Sequence, residues 1–166
     1  KWVSPISTGY RGYDVWECPP NGQGLAALIA LNLASGFDLA GLNDVDRYHI
    51  LIECMRLGFA DSLWYVADPD DTPVPVEQLL SDDYAAMRRQ NISLSNRLSD
   101  PLSRGKIEYT AGNDTVYFSV VDAAGNGCSF INSNYMGFGT GIVPEGCGFS
   151  LQNRGAGFVL EPGHPN

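Results

Sequence analysis

Apolar residues recur at helical spacing before about residue 110, and after it the text becomes β-like and rich in Gly and Asn. A short strand, Tyr13-Asp-Val-Trp-Glu-Cys18, is closed by Pro19-Pro20. Asn21 then offers an N-cap for a helix carrying Leu25, Leu28, Ile29 and Ala34, which ends at Gly36. A longer helix starts near Asn43-Asp44. Its apolar positions Val45, Tyr48, Ile52, Met55, Phe59 and Leu63 fall three and four apart and predict one buried stripe. It is expected to stop before Asp68-Pro69, because the residue preceding a proline is pushed out of the α region. Asp70 to Pro75 reads as a proline-punctuated loop. Helical text resumes over Val76 to Leu80, and again after a Ser81 cap through Tyr84 and Met87 to about Gln90. Residues 91–114 read as mostly irregular.

The later part opens with Thr115-Val-Tyr-Phe-Ser-Val-Val-Asp122. Thr115, Tyr117, Ser119 and Val121 share one face, and Val116, Phe118 and Val120 the other. Both faces are largely apolar or aromatic, which predicts a strand covered on both sides. Ala123-Ala-Gly-Asn126 supplies a turn with residues suited to positive φ, and Gly127 to Ser133 returns as the partner strand. No repeat or low-complexity tract interrupts this order.

Composition narrows the function. The 166 residues suffice for one domain, with 44% hydrophobic and 17% charged residues, so neither a disordered tail nor a coiled coil fits. Ten Lys and Arg against nineteen Asp and Glu give a net charge of −9, with no basic run denser than Arg88-Arg89. Nucleic acid and anionic membranes are therefore not expected partners. The longest apolar run, Leu25 to Leu31, is far below the ~20 residues of a membrane span. The chain begins at Lys1 without an initiator Met and ends at Gly-His-Pro-Asn, and is expected to be a piece of a longer polypeptide. No signal peptide is visible, and the compartment stays open. Cys18, Cys54, Cys128 and Cys147 form no C-x-x-C pair, and only His49 and His164 accompany them, so no metal site is expected. One or two disulfides are compatible with the sequence, which fixes no pairing, and the favoured expectation is thiols buried as small hydrophobes.

Several motifs carry less than they promise. Tyr135-Met-Gly-Phe-Gly-Thr-Gly141 lacks the spacing of a dinucleotide loop, since Ile142 and Pro144 stand where glycines are required. A tight backbone path is expected there instead. His49, between Tyr48 and Ile50 on the long helix, is expected to be structural, and Asp70-Asp71 to be a solvated turn. Asn91-Ile-Ser93 and Asn113-Asp-Thr115 match the glycosylation triplet without secretory context. Thr115 differs by position, because it opens a strand directly after Ala111-Gly-Asn-Asp114. A threonine hydroxyl needs an adjacent base to become a nucleophile. Cutting the chain before Thr115 would supply one, its own α-amine, whose ordinary pKa is ~7.7–8.0.

The string DTVYFSVVDAAGNGCSFINSNYMGFGTGIVPEGCGFSLQNRG, from Asp114 to Gly155, resembles the start of the small subunit of gamma-glutamyltranspeptidases. PISTGYRGYDVWECPPNGQG, Pro5 to Gly24, and FADSLWYVADPD, Phe59 to Asp70, resemble the end of that family's large subunit. The resemblance implies an α+β fold, part of the αββα sandwich of N-terminal-nucleophile hydrolases. Residues 1–114 would close the large subunit and residues 115–166 open the small one. It implies a self-processing zymogen cut between Asp114 and Thr115, with Thr115 as nucleophile toward γ-glutamyl amides such as glutathione and with water or an amine as acyl acceptor. No cofactor is implied. Ser133 stands where the family carries a threonine that hydrogen-bonds the nucleophile. Tyr135, beside Asn134, stands where transpeptidases carry an asparagine near the substrate carboxylate. In Asn153-Arg154-Gly-Ala-Gly157, Gly157 replaces the carboxylate that binds the substrate α-amine. An unpaired charge in a dry site is costly, so this departure points toward the acylase branch, whose glutaryl-type acyl groups lack that amine. The expected partners are the remaining parts of both subunits, which would supply a carboxylate-binding arginine and the oxyanion hole, together with a small-molecule amide. Two rival readings stay open at this stage: a non-catalytic homologue that binds a partner, and an unrelated α/β binding module.

Overall fold

The computed structural model describes residues 2–99 and 115–164, with Thr115 and Val116 given as backbone alone. The described residues form two compact units, residues 2–99 with 161–164, and residues 115–160.

In the first unit, β1 (Ile6–Tyr10) and β2 (Tyr13–Glu17) make an antiparallel hairpin in which Tyr10 faces Tyr13. Arg11 and Gly12 alone join them, at φ of 51° and 87°. Positive φ at both positions is the twist a two-residue hairpin needs. Periodicity overlooks β1 because its text, ISTGY, has no apolar alternation.

Helix α1 (Gly24–Ser35) is apolar nearly all round and forms the centre of this unit, with Leu25, Leu28, Ile29 and Leu33 buried. Its N-cap is Gln23, without a side-chain cap, rather than the expected Asn21. The Gly22 N–H turns back onto the Pro19 carbonyl at 3.5 Å, which carries the chain past Asn21 before the helix begins. Helix α2 (Asp44–Tyr65) starts as expected, with Asn43 Oδ1 accepting from the Asp46 N–H at 3.0 Å, and stops before Asp68-Pro69.

The stripe expected to be buried on α2 lies outside. Val45, Tyr48, Ile52, Met55, Phe59 and Leu63 are exposed, while Ile50, Cys54 and Leu57 enter the core together with Glu53 and Asp61. The helix carries two stripes at spacings of three and four, and periodicity cannot choose between them. Gly58 decides. A Cβ there would lie 2.6 Å from the Ala26 carbonyl oxygen and 3.3 Å from the Ala30 nitrogen, so α1 meets this face at backbone distance.

Both acids on the buried face are matched. Asp61 accepts from Arg88 Nε at 3.0 Å and Nη2 at 2.8 Å, the arginine coming from α4 (Asp82–Arg89). Glu53 accepts from Arg56 Nη1 at 2.7 Å and from the Leu98 N–H at 3.3 Å, and Arg56 Nη2 donates to the Leu98 carbonyl at 3.0 Å. Burial pushes the Cys54 thiol up to about 12. Burial and then the charge of Asp61 push the Tyr84 phenol up as well.

The short helix α3 (Val76–Leu79) buries Leu79, and α4 is capped as expected by Ser81 Oγ, which accepts from the Tyr84 N–H at 3.2 Å. His49 Nε2 lies 2.8 Å from the Ser93 carbonyl, in keeping with a structural role. Of the four cysteines only Cys54 is buried. Cys18, Cys128 and Cys147 are exposed, and all four are free. The expectation of four buried thiols fails because Cys18 follows the end of β2, Cys128 stands on an open hairpin and Cys147 lies in a turn. Among the described residues no helix is long and apolar enough to cross a membrane.

The second unit opens with the antiparallel hairpin of β3 (Thr115–Val121) and β4 (Gly127–Ser133), β3 ending one residue before the expected Asp122, which belongs to the turn instead. The Asp122 carboxylate closes its turn, Oδ1 accepting from the Ala124 and Asn126 N–H groups at 2.9 Å each. Hydrogen bonds from Asn126 and the turn backbone hold that carboxyl below its ordinary value. Phe118 and Phe130 stack across the strands with centroids 4.9 Å apart. The expectation of a strand covered on both sides is not met: Tyr117 and Val121 on one face and Phe118 and Val120 on the other are all exposed. Two strands make one layer, and no second layer covers either face among the described residues.

Candidate functional site

Register creates the site. The five-residue turn, 122–126, pairs the strands without slip from Val121↔Gly127 to Thr115↔Ser133. The first residue of β3 therefore faces the last residue of β4, although eighteen positions separate them. Thr115 is described as backbone, and Asp114 lies outside the described residues.

Beyond Ser133 the chain turns sharply. Ser133 Oγ accepts from the Tyr135 N–H at 3.0 Å, a serine turn that helps to hold Tyr135 at φ 80°. A non-glycine residue in the left-handed region costs about 1–3 kcal/mol and persists only where its surroundings fix it. Here a second tie comes from the Asn153 N–H, which donates to the Asn134 carbonyl at 3.1 Å.

The Asn153 side chain completes the brace. Its Oδ1 accepts from the Met136 N–H at 3.0 Å, and Nδ2 donates to the carbonyls of Met136 at 3.2 Å and Gly139 at 3.1 Å. Both amide hydrogens are thus engaged inside the loop, which makes Asn153 a brace of the backbone. The glycines earn their places through conformation: Gly137, Gly139 and Gly141 all have positive φ, and a Cβ on Gly139 would sit 2.2 Å from the Leu151 carbonyl oxygen. This is the tight backbone path expected of Tyr135–Gly141.

Arg154 stands next to Asn153, and its guanidinium carbon lies 5.2 Å from the centroid of the Tyr135 ring. Arg154–Gly157 form one turn of 3-10 helix, and a Cβ added at Gly157 would meet nothing within 4 Å. The structure thus groups Ser133, Asn134, Tyr135, Asn153 and Arg154 at the Thr115 end of the hairpin, with Gly157 on the same short turn as Arg154. Among the described residues no group of three His, Cys, Asp or Glu side chains could hold a metal ion. Sequence reasoning named Asn153 but missed its bracing role. The available signal was the alternation of glycines at 137, 139 and 141, which demands an outside partner for the carbonyls it turns outward.

The gamma-glutamyltranspeptidase family profile matches residues 1–166. The glutathione hydrolase-like YwrD proenzyme of Bacillus subtilis strain 168 is 36% identical over 168 residues, covering 100% of this chain and 31% of that protein. The glutathione hydrolase proenzyme of Escherichia coli K12 is 34% identical, covering 98% of this chain and 29% of its own length. The solved structure of a cephalosporin acylase from Bacillus halodurans superposes with a TM-score of 0.81 at 50% identity, covering 99% of this chain and 29% of that one. The chain spans about three tenths of the length of the relatives it matches. The similarity accounts for the mixed order of helices and hairpins as part of the α+β, N-terminal-nucleophile hydrolase fold. With the profile matching from end to end and relatives agreeing over nearly the whole of its length, the chain belongs to the gamma-glutamyltranspeptidase family.

Proposed function

We propose that these residues belong to a self-processing amide hydrolase and acyltransferase whose nucleophile is Thr115. The 114–115 peptide bond of the precursor is cut, and the nitrogen of Thr115 changes from an amide to an amine. That amine takes the proton from the Thr115 hydroxyl, and the oxygen attacks the carbonyl of a γ-glutamyl or glutaryl-type amide. The leaving amine departs with a proton, and an ester remains on Thr115 Oγ1. Water then releases the acid, or an acceptor amine takes the acyl group. Ser133 tunes the nucleophile through its hydroxyl. The oxyanion hole and further substrate contacts come from the rest of the two subunits.

The observation that carries this reading is the Thr115↔Ser133 pair of the ladder, because it puts a hydroxyl residue directly across from the start of β3. Membership of the family supports it, and so do the names of the relatives, which are proenzymes and include an oxamate amidohydrolase and an acylase. The test uses the full-length protein and its Thr115→Ala variant, read by intact mass and N-terminal sequencing. The wild type is expected to yield a small chain beginning Thr-Val-Tyr-Phe and to hydrolyse an anilide substrate, and the variant to do neither. Normal processing in the variant overturns the assignment.

A further inference from the structure

The chain leaves its first unit, builds residues 115–160, and then returns, so that residues 161–164 belong with residues 2–99. A turn makes the return: Gly163 has φ 84°, and the His164 N–H donates to the Glu161 carbonyl at 3.1 Å. The His164 imidazole meets the Trp64 indole edge to face, with ring centroids 4.7 Å apart and planes inclined at 65°. Aromatic rings attract in this arrangement because the positive edge of one meets the negative face of the other. Trp64 stands in the last turn of α2, and both residues are half-buried. The base beneath the indole is firm. Asp61 and Ser62 are buried, Asp61 is held by Arg88, and the Val66 N–H closes the helix onto the Ser62 carbonyl at 2.9 Å.

Trp64 precedes the proposed cut and His164 follows it, so cleavage places the two rings on different chains. Before the cut, residues 115–160 are joined to the first unit by peptide bonds at both ends. The cut removes the join at 114–115, and within this chain the remaining covalent link runs through residues 161–164. We infer that the 161–164 turn is a docking element that holds the small chain on α2 of the large chain through the Trp64–His164 ring pair. The inference rests on the proposed cut before Thr115. The partner is the sister chain of the same precursor. Because the contact forms within the uncut chain, its rings are already in place when the covalent join is lost, and no search for a partner is needed.

The experiment uses the full-length protein and its Trp64→Leu, His164→Ala, Trp64→Leu/His164→Ala and His164→Phe variants. Self-cleavage of each is followed by mass. Separation of the cut chains is read by size exclusion across a urea series at several protein concentrations, which gives an apparent dissociation constant at a fixed urea concentration. Trp64→Leu and His164→Ala should be cut as the wild type is and should each raise that constant about two- to tenfold, the scale of one ring pair. The double variant should raise it by less than the product of the two single effects, because both remove one shared contact. His164→Phe keeps a ring and should hold the chains together more tightly than His164→Ala. Should Trp64→Leu fail to mature, the two His164 variants read the same contact from the other chain. Cut variants whose constant stays within twofold of wild type overturn the docking contact and leave the Thr115 reading standing. Single effects that multiply in full, or His164→Phe no tighter than His164→Ala, do the same. A wild type that stays uncut overturns both.

Discussion

Gly58→Ala isolates the contact that orients the helical unit. The added methyl would lie 2.6 Å from the Ala26 carbonyl oxygen, 3.3 Å from the Ala30 nitrogen and 3.5 Å from the Ala30 Cβ. Two of the three atoms are backbone, so relief requires α1 to move away from α2. Overpacking of this kind costs about 1–3 kcal/mol. Helix propensity works in the opposite direction, since alanine is favoured over glycine inside a helix by about 0.8–1.0 kcal/mol. The close approach should win, with a net loss of up to about 2 kcal/mol. Urea unfolding of the full-length protein, followed by tryptophan fluorescence, should show a lower midpoint at unchanged slope. A midpoint equal to or above wild type would mean that propensity outweighs the clash. The argument that Gly58 selects the buried face of α2 would then fail.

Two further predictions concern buried polar groups. Asp61→Asn leaves the Arg88 guanidinium without its carboxylate in a buried setting; it should destabilise by about 3–5 kcal/mol, and a denaturation midpoint indistinguishable from wild type would refute that pairing as a stabilising feature. Cys54 and Tyr84 both have their deprotonation pushed up by burial, Cys54 to about 12. Above the ordinary thiol pKa the unfolded chain therefore binds fewer protons than the folded one, and stability should fall as pH rises from about 9 toward 12. Cys54→Ala should flatten the early part of that fall, and Cys54 should resist alkylation at pH 8 until the protein is denatured. Rapid alkylation of native Cys54 would contradict the burial.

What could be read from the text was whatever depends on neighbouring residues. The α2 start follows from Asn43, the α4 start from Ser81, and the β3–β4 hairpin from a run rich in β-branched and aromatic residues, a Gly-Asn turn and a second run of matching length. These are local hydrogen bonds and local dihedrals, so local text suffices. The Gly-rich segment was legible in the same way, because only a tight path explains so many positions free of a Cβ. Asn21 misled because a proline turn intervenes before the helix, and β1 was missed because a two-residue turn, not its own side chains, makes it a strand.

Family membership, the Thr115 position and the departure at Gly157 are also properties of the sequence, since they rest on residue identity and order. Tertiary structure decided which of two equally periodic stripes of α2 is buried, because helix docking depends on how closely α1 can approach Gly58. It decided that Asp61 and Glu53 could be buried, because the cation of Asp61 comes from α4 and Glu53, paired with Arg56 on its own helix, takes a further backbone partner from Leu98. It gave Asn153 its work as a brace and set Arg154 over Tyr135, nineteen residues earlier in the chain. Pairings between distant segments depend on how the chain returns on itself, and no local pattern encodes that return.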